Sequence, residues 1–73
     1  MSDLAERHPA TTALLRFFTW QHLPEALQGV SRSCAELAEE IVSTLPDGPE
    51  LTAGLRKLLE AKDCFVRAGL PPA

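Results

Sequence analysis

Reactive and ligand-holding side chains are scarce in this chain. Cysteine occurs twice, at Cys34 and Cys64, in a spacing that builds neither a disulfide framework nor a zinc site. Free thiols in a cytoplasmic protein are the expectation. Histidine also occurs twice, at His8 and His22, and neither stands at a metal-ligand interval. The sequence has no glycine-rich phosphate loop and no nucleophile elbow. Glu36, Glu39 and Glu40 read as the solvated face of a helix. Glu60 and Asp63 read as partners of Arg56 and Arg67 in intrahelical ion pairs, not as a carboxylate dyad. A non-enzymatic protein with no catalytic residue, no metal and no cofactor is expected.

Positive charge is sparse as well. Seven lysines and arginines stand against ten acids, for a formal net charge of −3, and they form no basic run. Affinity for duplex nucleic acid comes mostly from neutralising phosphates, so broad binding of that kind is excluded. A small phosphorylated ligand held by a few local cations is not. Apolar runs are short, and none nears the roughly 20 residues that span a bilayer. The opening MSDLAERHPA has two acids before its first arginine and no continuous apolar stretch. It does not read as a signal peptide.

What is present points to an all-α protein of one domain, residues 1–73. Leu27, Val30, Cys34, Leu37, Ala38, Ile41 and Leu45 recur at steps of three and four, which sets them on one face of a helix over 24–45. Pro24 suits its first turn, where a missing amide costs nothing. The PDGP run at 46–49 is dense turn chemistry, with Asp47 or Gly48 as a cap for the next helix. Leu51, Leu55, Leu58, Leu59, Phe65 and Val66 then mark the apolar face of a second long helix over 50–68, with a tail at 69–73. So short a turn makes the two helices an antiparallel hairpin. Residues 1–23 hold a short helix, over roughly Pro9 to Arg16, and an aromatic arm. A hairpin of this size buries too little to offset its chain entropy, so a helical homo-oligomer is expected.

Two features do not fit a plain hairpin. At about 100° per residue Lys62 falls in the apolar stripe of the second helix. Either its stem covers apolar surface while its tip reaches water, or it faces a subunit seam or ligand. Cys34 lies in the first stripe as a small core residue, and Cys64 lies off it. The second feature is RFFTWQHLP, Arg16 to Pro24, which gathers three of the four aromatic residues. Phe17, Phe18 and Trp20 either fold back over the hairpin or form a stacking platform, with Arg16, His22 and Arg32 near enough to meet phosphates.

The order of these features resembles a family of small phage proteins that act as anti-CBASS cyclic-oligonucleotide sponges. The shared marks are Phe18-Thr19-Trp20 followed by Pro24, the Leu37-Ala38 step in the first long helix, and the segment Leu55-Arg56-Lys57-Leu58-Leu59-Glu60-Ala61 in the second. The resemblance covers roughly Arg16 to Ala68. The run after Ala61 departs from the tryptophan-alanine-asparagine segment of better-known members. The resemblance implies sequestration of cyclic dinucleotides, and in some members cyclic trinucleotides, by compact oligomers of up to six chains with ligands between protomers. It also implies that Trp20 stacks on a base and that Arg32 meets the phosphates, with Phe18, His22 and Pro24 beside them. Arg56, Lys57 and Lys62 are the candidates for a second pocket. The expected function is therefore a sponge acting in the host cytoplasm. The alternative is an oligomeric hairpin adaptor that binds a partner helix, and a nucleotide hydrolase has little in its favour.

Overall fold

The computed structural model describes residues 8–70, which form three α-helices and no strand. α1 spans Pro9–Leu15 and runs directly into a 3-10 turn, Arg16–Phe18. Its start is set by His8, whose Nδ1 accepts from the Ala10 N–H at 3.0 Å, with Pro9 in the first helical position. The chain leaves the 3-10 turn at Thr19 in extended backbone. It then turns at Trp20, whose carbonyl accepts from the Leu23 N–H at 3.1 Å. Gln28 holds this connection: its Nε2 donates to the Leu23 carbonyl at 2.9 Å and reaches the Gln21 carbonyl at 3.4 Å.

α2 spans Glu25–Thr44, with Pro24 just outside it. Leu45 is extended, as the residue before a proline prefers to be, and that stops the helix. α3 spans Pro49–Ala68. Gly48 stands at its head without a side-chain cap, while an Asp47 carboxylate oxygen accepts from the His8 N–H at 3.2 Å. That bond ties the start of α1 to the α2–α3 turn.

At the far end, Gly69 follows α3 with an ordinary φ of −84°. A β-carbon there would come within 2.6 Å of Leu27 Cδ2, the end of a side chain that could turn aside. The close approach shows that the end of α3 lies against the start of α2, so the two helices run antiparallel.

The core is one cluster of Leu14, Phe18, Cys34, Ala38, Val42, Leu51 and Leu55, with Leu15, Ala35, Ile41, Leu58 and Leu59 packed around it. Cys34 and Ala38 of the predicted α2 stripe lie in this core and Ile41 packs against it, but the inward side is rotated toward Ser31 and Val42. Ser31, Cys34, Ala38 and Val42 are buried, whereas Val30, Leu37 and Leu45 are about half exposed. Ser31 and Ala38, both small, are fully buried, while the larger Val30 and Leu37, each one residue away, stand at the margin. On α3, Phe65 is also displaced from the predicted core face and stands 54% exposed.

Lys62 follows neither of its expected courses. It is 7% exposed, and its Nζ donates to the Phe17 carbonyl at 2.8 Å. That carbonyl belongs to the last turn of a helix, where carbonyls lack a following amide partner. The ammonium thus closes the end of the 3-10 turn and fastens it to α3. Asp63 Oδ1, 3.8 Å from the same nitrogen, supplies the counter-charge.

Candidate functional site

Two segments build the groove that holds Trp20. The chain from Leu15 through Phe18, Thr19, Trp20 and Gln21 forms one wall, and Ala35 and Glu39 of α2 form the other. The volume enclosed is about 170 Å³. Phe18 is 3% exposed and belongs to the core, so it is a floor and not a stacking surface. Trp20 is half-buried. Its backbone N–H donates to Gln21 Oε1 at 3.2 Å, which orients the residue at the rim.

Arg32 Cζ lies 5.2 Å from the centre of the Trp20 ring. A guanidinium at that distance is attracted to the negative face of the indole. Its Nε donates to Glu36 Oε2 at 3.2 Å, one helical turn further on. The cation is therefore fixed from both sides while its outer nitrogens remain toward solvent, its side chain being 59% exposed.

The other expected members are not gathered here. His22 and Pro24 are exposed and line no part of the groove. Arg56 lines a separate groove of about 440 Å³ at the start of α3, with His8, Gly48, Pro49, Thr52 and Ala53. Lys57 is exposed elsewhere on α3, and Lys62 is committed to the Phe17 carbonyl. The three cations of the expected second pocket do not converge. Arg56 and Arg67 do not pair with Glu60 and Asp63 either: Arg67 Nη2 donates to Cys64 Sγ at 3.4 Å, and Asp63 sits by Lys62.

No known protein family, curated protein or solved structure matches this chain. What the site can do rests on its own geometry.

Glu39 is the residue that sequence reasoning missed. It lines the groove with Trp20. The signal was available in the spacing, because Arg32, Ala35, Glu36 and Glu39 fall on one helical strip. Among the described residues no three His, Cys, Asp or Glu side chains group as metal ligands. No helix there is long and apolar enough to cross a membrane. Cys34 is buried and Cys64 exposed, both as free thiols.

Proposed function

We propose that the protein binds a cyclic dinucleotide, such as cyclic GMP-AMP, without transforming it, and so withdraws the signal from a host CBASS defence. One observation carries this reading: the Arg32 guanidinium held on the face of a half-buried Trp20 at the rim of an open groove. A base stacked on such a ring is worth ~1–3 kcal/mol. A guanidinium beside it meets phosphate oxygens through charge-assisted hydrogen bonds. Glu39 repels phosphate from the groove itself, so the base lies toward the groove and the phosphates toward Arg32.

The groove of one protomer, about 170 Å³, is smaller than the roughly 300–1,000 Å³ of ordinary ligand pockets. Enclosure of a cyclic dinucleotide then requires a second protomer, in a homo-oligomer of between two and six chains. Cyclic trinucleotides form a second ligand class on the same reading. The place of action is the host cytoplasm, with neither duplex nucleic acid nor membrane as partner. A different observation favours an oligomeric adaptor instead: the exposed apolar strip of Val30, Leu37 and Phe65 suits a partner helix.

Calorimetric titration against a panel of cyclic di- and trinucleotides separates the readings. The sponge binds, and the ligand is recovered intact after the protein is denatured. Arg32→Glu weakens binding by ~2–5 kcal/mol, as for a lost charge-paired contact, while the melting temperature barely moves. Trp20→Ala weakens it as well, and Glu39→Gln strengthens it. Absence of heat with every member of the panel sinks the sponge reading and leaves the adaptor. Consumption of the ligand makes the protein an enzyme.

A further inference from the structure

The α2–α3 pair carries an apolar groove on the side away from Ala35 and Glu39. It encloses about 330 Å³ and is lined by Gly29, Val30, Ser33, Cys34, Leu37, Leu58 and Phe65. Val30, Leu37 and Phe65, all apolar, are each about half exposed. Val30 and Leu37 stand seven residues apart on α2, and Leu58 and Phe65 stand seven apart on α3. That is the interval at which helices hold one seam over several turns of mutual packing. Gly54, Ala61 and Ala68 repeat at the same interval beside Leu58 and Phe65, giving small positions between large ones.

At mid-height the rims of this strip carry opposite charge. The α2 rim holds Glu40, with Glu36 behind it, and the α3 rim holds Lys57, while Glu50, seven residues before Lys57 on that rim, stands by the α2–α3 turn. Among the described residues neither Glu40 nor Lys57 forms an ion pair. The proximity of Gly69 to Leu27 fixes the antiparallel register and sets Lys57 level with the segment between Glu36 and Glu40.

We infer that the occupant of this strip is a second copy of the same chain, related by a two-fold axis parallel to the helices. That operation lays α2 of one protomer along α3 of its partner, antiparallel, at matching heights. The acidic rim then meets the basic rim twice by symmetry, as a self-complementary face requires. An axis across the helices would instead place α2 on α2 and bring Glu36 and Glu40 against their own copies. The charge pattern selects the first arrangement, an antiparallel four-helix layer with each α1 on the outside. The inference stands apart from the ligand reading, because the Trp20 groove lies on the other side of α2.

The test uses the full chain in light scattering and sedimentation, with Glu40→Lys and Lys57→Glu. Both substitutions are at exposed positions, so helical circular dichroism should be kept. The parent associates at micromolar concentration into species built on pairs of the 7.9 kDa chain. Each variant alone sets like charges together twice and raises the dissociation constant about tenfold or more. An equal mixture of the two variants matches opposite charges at both contacts and recovers parent-like association. Leu37→Glu, in the middle of the strip, abolishes association. A parent that stays monomeric, charge variants that associate like the parent, or a mixture no tighter than its components would each overturn the inference.

Discussion

On one flank of the α2–α3 pair, α1 and the 3-10 turn bring Leu14 and Phe18 into a core with Cys34, Ala38, Val42 and Leu55. On the other flank Val30, Leu37 and Phe65, of the same apolar types, remain half exposed. The contrast is not one of apolar character. The covered flank has α1 and the 3-10 turn over it, with Ser31 and Ala38 fully buried, and a lysine that latches the covering segment in place. The open flank has no covering element among the described residues. A helix's buried side is thus decided by what can reach it, and apolar area only sets how much is gained once it does.

The sharpest way to break the comparison is to truncate one residue on each flank. Leu55 is fully buried, so Leu55→Ala should cost ~2–5 kcal/mol of folding stability at any protein concentration. Val30→Ala, half exposed on the open flank, should lower the stability of the isolated chain by no more than about 0.5 kcal/mol. Its loss should grow with protein concentration, because association is what buries it. Urea unfolding at two concentrations checks both. Equal, concentration-independent losses would mean that the flanks do not differ.

The latch comes next. Lys62→Ala removes both the stem from the core and the bond to the Phe17 carbonyl, for an expected loss of about 2–3 kcal/mol. Lys62→Met keeps most of the stem volume and leaves only the carbonyl unpaired, for about 1 kcal/mol. Amide exchange at Thr19 and Trp20 should quicken in both, since the 3-10 turn loses its tie to α3. A methionine variant as unstable as the alanine one would show that the hydrogen bond, and not the packing of the stem, holds the covering segment.

A smaller effect of opposite sign is expected inside the covered flank. Thr11 and Ser31 are fully buried, and neither hydroxyl finds a partner among the described residues. Thr11→Val replaces the hydroxyl by a methyl of the same shape, with similar helix propensity. Burying an unpaired hydroxyl costs roughly 1–3 kcal/mol, and partial relaxation leaves a gain of about 1 kcal/mol on its removal. A destabilised Thr11→Val protein would mean that the hydroxyl is bonded in solution and that the covered flank is wetter than its packing indicates.

The helices themselves were legible because each carries its own punctuation: Pro9, Pro24, Leu45-Pro46 and Pro49 bound them through backbone geometry that needs no tertiary partner. The inward side of α2 was legible in part: Cys34 and Ala38 lie in the core as the stripe implies, while Ser31 and Val42 take the inward places expected of Val30 and Leu37. Lys62 was flagged by its place in the apolar stripe, yet its partner is a backbone carbonyl 45 positions away, which no side-chain pattern encodes. At the candidate site Trp20 and Arg32 are brought together. Phe18 is drawn into the core from the 3-10 turn, and His22 is left outside the groove in the separate turn between Trp20 and Leu23.

Between the two flanks, on the outer edge of α2, lies the smallest expected effect. The Arg32–Glu36 pair has side chains 59% and 64% exposed, so water screens it and both chains lose rotamer freedom in making it. Its order, base before acid at an interval of four, is also the weaker one along a helix. Glu36→Gln should therefore change folding stability by no more than about 0.3 kcal/mol. The indole contact keeps Arg32 near the ring without its carboxylate partner, so the fluorescence of Trp20, the only tryptophan, should shift little. If the proposed sponge function holds, a freed guanidinium would meet a phosphate without first leaving Glu36, and cyclic-dinucleotide affinity should rise. A stability loss above about 1 kcal/mol would lie outside the range of an exposed pair. It would place Glu36 inside an assembly contact, and the open flank would then extend further around α2 than Val30 and Leu37.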